Sequence, residues 1–192
     1  MTKDVKKRLP SGRQKREKGA KKASTAPGEA DRLLVFVRHG IAEEKSDAKP
    51  DEDRTLTKEG HLRMKQEARA LAELFPEADV IYTSPLVRCV QTALWVSKGY
   101  RSRLEPVTTE ALRPEASVED FLTFLRETKE NTPILIGHEP GLSTLLAHFV
   151  GASSAGTLEL KKGGCAALRM MPGGAKLELF LPPRVLRRLK TS

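Results

Sequence analysis

Short, uninterrupted apolar runs set the strongest constraint on what this 192-residue chain can fold into. Leu33–Val37 is apolar throughout, and Thr132–Gly137 carries Ile134, Leu135 and Ile136 in succession. A strand with one wet face alternates apolar and polar side chains. A strand apolar at every position must be covered on both faces, as in the centre of a parallel sheet. Asp79–Thr83 reads as a further strand, and residues 103–107 as a short one. Between them the apolar period changes to that of a helix. Leu62, Ala68, Leu71, Ala72 and Phe75 follow a candidate N-cap at Thr57 and stop before Pro76. Ser84-Pro85 reads as the N-cap and first residue of a second helix that runs to about Lys98 and ends at Gly99. Pro114 and Ser117 precede a third, marked by Val118, Phe121, Leu122 and Leu125. Pro140-Gly141 opens a fourth through Leu142, Leu145, Leu146 and Phe149, closed near Gly151. Gly164–Met170 and Ala175–Leu181 flank the turn signal Pro172-Gly173-Gly174 and predict a hairpin at the sheet edge. Strands alternating with helices imply an α/β fold, a three-layer sandwich around a mainly parallel sheet.

Composition narrows the class further. Apolar residues make up 39% of the chain, and no apolar run approaches the roughly 20 residues that a spanning helix needs. The net charge of +9 is concentrated at one end: residues 1–30 hold ten Lys/Arg against Asp4, Glu17 and Glu29, a local +7. Beyond Met1 that segment has only Val5 and Leu9 as large apolar side chains and no aromatic, too little to offset an ordering cost of roughly 1–2 kcal/mol per residue. The expected organisation is a disordered basic tail over residues 1–30 and a single domain over residues 31–192. The tail reads as a solubilising extension; the sharper alternative is weak polyanion binding without sequence recognition, since no aromatic is present to stack on bases. Residues 1–30 lack the apolar core of a secretory signal, so a cytoplasmic location is expected and no membrane partner. Two cysteines, Cys89 and Cys165, build neither a disulfide framework nor a Cys-rich metal site. Cys89 is expected to face the core from its helix.

The chemistry lies at three strand ends. The first strand ends in Arg38-His39-Gly40, the second runs into Ser84-Pro85-Leu86-Val87-Arg88, and the apolar run at 132–137 ends in Gly137-His138-Glu139-Pro140. Ligands of open α/β sheets bind beyond the carboxyl ends of the strands. If these strands are parallel neighbours, two imidazoles and two guanidinium groups meet on one rim, with a helix start after each strand to add N–H donors. That set suits a dianionic phosphoryl group, because Arg presents permanently charged donor forks that match phosphate oxygens.

Arg38-His39-Gly40 resembles the signature of the histidine phosphatase superfamily, the phosphoglycerate-mutase-like proteins. Ser84–Ala93, ending in Gln91-Thr92-Ala93, is similar to its second motif, and Ile134–Ser143 to its third. The short chain and the Gly-His-x-Pro-Gly form are most similar to SixA-type phosphohistidine phosphatases, over roughly residues 32–185. The resemblance implies a phosphoglycerate-mutase-like fold and a metal-independent, cofactor-free phosphatase. It makes His39 the nucleophile that is transiently phosphorylated, with Arg38, Arg88, His138 and Gly40 binding the phosphoryl group. Neighbouring guanidinium charges would keep the nucleophilic imidazole neutral. Asp53-Arg54 resembles the acidic-Arg pair before the first helix in SixA-type proteins and reads as a loop anchor more than a catalytic pair.

The general acid departs from the wider family. Members that cleave phosphate esters of alcohols usually carry a Glu where Ala111 falls here; Glu110 lies one residue early, and Glu115 is the next candidate. An acid at Glu110, at Glu115 or at neither position remains open. The departure favours phosphohistidine, whose imidazole leaving group is readily protonated. The stretch from Leu112 to Ser117 is too short for a helical cover, which leaves room for a protein-borne substrate. The alternatives are a small-molecule phosphomonoesterase of the same fold and a non-catalytic phosphate- or polyanion-binding module. His61 and His148 lack comparable context and read as structural or solvated.

Overall fold

The computed structural model describes residues 31–189; the basic tail, and the domain boundary drawn at its end, lie outside them. The strands are β1 (Leu33–Arg38), β2 (Val80–Thr83), β3 (Pro106–Thr108), β4 (Pro133–Gly137), β5 (Cys165–Met171) and β6 (Gly174–Leu181). They form one sheet in the order β3-β2-β4-β1-β5-β6. The first four are mutually parallel, while β5 and β6 are antiparallel and complete the edge as a hairpin. The helices are α1 (Lys58–Leu74), α2 (Val87–Gly99), α3 (Val118–Glu127), α4 (Gly141–Val150) and the short α5 (Pro183–Leu186).

The continuous apolar runs are continuous because both sheet faces are covered. Val35, Val37, Ile134 and Ile136 pack with α1 and α2 residues such as Met64, Leu71, Ala93 and Val96. Leu34, Phe36 and Leu135 point the other way, into Phe121 and Leu125 of α3 and Leu142 and Leu146 of α4. The period of two along each strand thus builds two cores and three layers, as expected. Thr57 caps α1 by accepting from the Gly60 N–H at 3.0 Å. Ser117 and Asp120 form a reciprocal capping box on α3.

Two element starts differ from the sequence reading by more than one residue. α2 starts at Val87, with Leu86 as its N-cap, rather than at Ser84-Pro85. The Ser84 hydroxyl accepts the Leu86 N–H only at 3.4 Å and lies closer, at 2.9 Å, to Nε2 of His138. A tertiary partner has taken the residue that local signals assign to a cap. The short strand starts at Pro106, which pairs with Ile81, three residues later than expected.

Candidate active site

Strand order decides which chain segments meet. β4 lies between β2 and β1, and Arg38 stands opposite Gly137 while Thr83 stands opposite Ile136. The ladders continue one step past the strands: the His39 N–H donates to Gly137 O at 3.1 Å, and the Ser84 N–H donates to Ile136 O at 3.0 Å. Arg38-His39, Ser84 and His138 are therefore neighbours at one rim. The His39 and His138 rings are 5.1 Å apart between centroids. Helices follow β2 and β4 closely, whereas a polar loop over residues 40–57 separates β1 from α1.

His39 is buried, and its Nδ1 lies 2.8 Å from Gly40 O. A carbonyl only accepts, so the proton sits on Nδ1 and Nε2 keeps its lone pair. The His39 pKa is lowered from 6.5 to about 3, first by burial and then by the positive charges of Arg88, Arg38 and Lys162, against the Gly40 hydrogen bond. The guanidinium groups thus contribute as expected, but loss of water around the ring is the larger cause. His138 is lowered to about 2 by burial, with His39 and Arg88 adding to it.

Arg88 is almost fully buried and held from one side. Its Nη1 donates to Asp51 O at 2.7 Å and its Nη2 to Asp51 Oδ2 at 3.0 Å. Burial works against the charge on Asp51, but Arg88 and Arg54 hold its carboxyl below the usual carboxylate range. Arg54 anchors the loop as expected, though through Asp51 at 2.8 Å and Glu43 O at 2.7 Å rather than through its neighbour Asp53. Arg38 donates through Nη1 to Leu160 O at 2.6 Å and to Glu159 Oε1 at 3.4 Å. The Nε–H groups of both Arg38 and Arg88 are buried and have no hydrogen-bond partner in the protein.

The Gln-Thr-Ala segment acts through hydrogen bonds that periodicity does not reveal. Thr92 Oγ1 donates to Arg88 O at 2.7 Å and accepts the Gly40 N–H at 3.0 Å. Gln91 Oε1 accepts the Leu56 N–H at 2.7 Å and ties down the loop before α1. The Gly40 N–H is engaged by Thr92 and its carbonyl by His39, so Gly40 helps to orient the ring. Cys89 faces the core, 3.3 Å from His138 Nε2, and burial pushes its thiol pKa up.

Glu110 is not brought to the two histidines. Its exposed carboxylate lies 2.5 Å from Arg113 Nε. It lines a shallow hollow with Thr109, Glu115 and Phe124. A different hollow of about 200 Å³ adjoins His138, walled by Ala111, Leu112, Pro114, Val118 and Leu142, with Arg113 beside it. Ala111 lines both hollows, whereas Glu110 and Glu115 line only the one away from His138. Among the described residues, no three His, Cys, Asp or Glu side chains are grouped as a metal ion requires, and no helix is long and apolar enough to cross a membrane.

The depressed imidazole pKa values give a direct test. In the unfolded chain a histidine takes up its proton near pH 6.5, whereas folded His39 does so near 3 and His138 near 2. The unfolded state therefore binds more protons below about pH 6.5, and stability falls as pH drops from there towards 3. Their ring signals in NMR titrations are expected to stay at neutral-imidazole positions from pH 8 down to about pH 4.5. A midpoint near 6.5 for either ring would contradict the buried geometry.

A family model described as the histidine phosphatase superfamily, branch 1, matches residues 34–121. An uncharacterized protein of Picosynechococcus is 35% identical over 158 residues, covering 77% of this chain and 93% of that relative. Among solved structures, a protein named SixA from Agrobacterium tumefaciens superposes with a TM-score of 0.69 at 23% identity, over 80% of this chain and 99% of that one. A phosphoserine phosphatase mutant from Entamoeba histolytica superposes with a TM-score of 0.62 at 16% identity, over 82% and 99% of the two chains. At these identities the structures establish the shared phosphoglycerate-mutase-like fold. Taken with the family match and the closely covered relative, they show that this chain belongs to the histidine phosphatase superfamily.

Proposed function

We propose that this histidine phosphatase hydrolyses phosphohistidine carried on a protein, through a phosphorylated His39. The observation that carries the reading is the pair of orphaned donors: Arg38 Nε and Arg88 Nε are buried without a protein partner, and both guanidinium charges act on His39. A buried donor left unpaired costs about 1–3 kcal/mol. A phosphoryl group at His39 would satisfy both and would gain charge-assisted hydrogen bonds.

In the first step Nε2 of His39 attacks phosphorus and the bond to the substrate imidazole breaks. The electron pair of that bond leaves with the imidazole, which takes a proton from water. Arg38 and Arg88 share the charge of the transferring group, and His138, with Nε2 against Ser84, offers its other ring nitrogen as a donor. In the second step water attacks phosphorus and releases inorganic phosphate and neutral His39. Transfer from one imidazole to another exchanges one P–N bond for another, so it asks little of a general acid. The absence of a carboxylate from the hollow beside His138 supports this substrate over an alcohol-derived ester. In this reading the apolar wall of Ala111, Leu112 and Leu142 receives the leaving group.

The alternative small-molecule phosphomonoesterase activity draws support from the fold shared with the phosphoserine phosphatase. The two readings separate in one experiment. Phosphate release is followed from a histidine-phosphorylated phosphotransfer domain and from an aryl phosphate, with wild type and Glu110→Gln. The expected result is a kcat/KM at least about 10-fold higher on phosphohistidine, changed less than about 3-fold by Glu110→Gln. A preference for the ester, lost on Glu110→Gln, would instead establish the esterase with Glu110 as its acid.

A further inference from the structure

Glu139 follows His138 but plays no part in the steps above. Even so, its carboxylate is one of the most heavily engaged side chains near the site. Oε1 accepts the Leu160 N–H at 2.8 Å. Oε2 accepts from Ser143 twice, from the hydroxyl at 2.6 Å and from the N–H at 3.2 Å. One side chain thus joins the first turn of α4 to the segment before β5. That segment in turn touches the site: Leu160 O receives Arg38 Nη1 at 2.6 Å, and the Gly163 N–H lies 3.1 Å from Arg38 O and 3.2 Å from His39 O. The Leu160 side chain is fully buried, so the residue is also anchored between its two peptide units.

Gly163 is what lets the segment lie this close. Its φ is +82°, and a Cβ there would come within 2.4 Å of Glu67 Oε2. Glu67 is itself buried and paired with Arg187 Nη1 at 2.5 Å.

We propose that Glu139 is a positioning residue for phosphoryl binding: by holding the Leu160 N–H it fixes the backbone entering that residue, whose own carbonyl, in the next peptide unit, holds Arg38, and so sets the direction of the Arg38 guanidinium. A carboxylate suits the place because three donors converge on two oxygens, and an oxygen pair accepts from all of them. An amide would turn an NH2 towards one of those donors. Arg38 has a single well-placed neutral anchor, Leu160 O, beside the longer contact to Glu159, and its Nε–H has no partner in the protein. Without the clasp, the peptide and the arginine gain freedom together.

The inference rests on the phosphoryl-site reading but not on the identity of the substrate, so its test uses an oxyanion probe. Tungstate binding is measured by calorimetry on the full chain for wild type, Glu139→Ala, Arg38→Ala and the double variant, with melting temperatures recorded alongside. Glu139→Ala is expected to weaken binding by about 10-fold in the wild-type background and by less than about 2-fold in the Arg38→Ala background. Any loss of melting temperature is expected to be the same in both. Glu139→Gln, which keeps the acceptor for Leu160, should fall between wild type and Glu139→Ala, and it carries the same cycle if the alanine variant does not fold. Equal fold-losses in both backgrounds would reduce Glu139 to a structural part and overturn the proposal. Failure of wild type to bind tungstate at all would overturn the phosphoryl-site reading and this proposal with it.

Discussion

Replacing His39 with alanine is expected to lower phosphate release by about 10⁴-fold or more on every substrate that wild type accepts. It is also expected to abolish transfer of label to the protein. The reason is specific to the ring. Burial and three nearby cations keep it neutral, and the Nδ1 contact to Gly40 O leaves Nε2 as the nucleophilic nitrogen. Alanine removes that nitrogen and leaves the oxyanion cradle standing, so tungstate binding should survive while turnover does not. The check is an incubation with a radiolabelled phosphohistidine donor, quenched in alkali. Wild type should retain label that is stable to base and lost in acid, as a P–N bond is; His39→Ala should retain none. Equal rates for the two proteins, or label on another residue, would remove His39 from the mechanism.

The second large effect belongs to Arg88. Arg88→Ala is expected to cost about 10³-fold in kcat/KM, in the range of guanidinium groups that stabilise a transferring phosphoryl group. Arg88→Lys should recover little. Asp51 takes one N–H from each Nη atom and leaves the buried Nε–H without a protein partner, whereas an ammonium keeps the charge but not the fixed planar geometry. Asp51→Asn, which keeps the backbone contact and one acceptor, should fall between wild type and Arg88→Ala. Asp51 is partly exposed, so water solvates it when its partner is removed. The melting temperature of Arg88→Ala should therefore move far less than its activity. An Arg88→Lys variant close to wild type would show that charge alone suffices at this position.

The residues that meet at the rim are marked in the sequence by their place at strand ends. Apolar runs mark strands covered on both faces, and polar residues of unusual type directly after them stand out against that background. Arg38, His39 and His138 were visible in this way, and Arg88 through the motif it shares with Gln91-Thr92-Ala93. The partners of these residues were not visible. Three acidic residues, Asp51, Glu52 and Asp53, stand together before the first helix, and nothing in their order says which one meets Arg88. The turn over Asp51–Asp53 decides it, directing Asp51 at a guanidinium 37 positions away. Thr92 and Gly40 are 52 positions apart, and their hydrogen bond exists because α2 packs behind the rim.

Ser84 shows the same division in one residue. Serine before proline is a sound local signal for a helix start, yet its hydroxyl stands against His138, which strand order places beside it. Glu110 and Ala111 show it again: the one-residue offset was legible, but the side chain that lines the hollow beside His138 follows from the turn at Glu110–Leu112. Short-range spacing determined the elements, the layers and the identity of the charged groups, because periodicity and capping act within a few residues. Which donor meets which acceptor was decided by the tertiary structure alone. Hydrogen bonds demand placement within a fraction of an ångström, and only the packed sheet, with β4 between β2 and β1, supplies it.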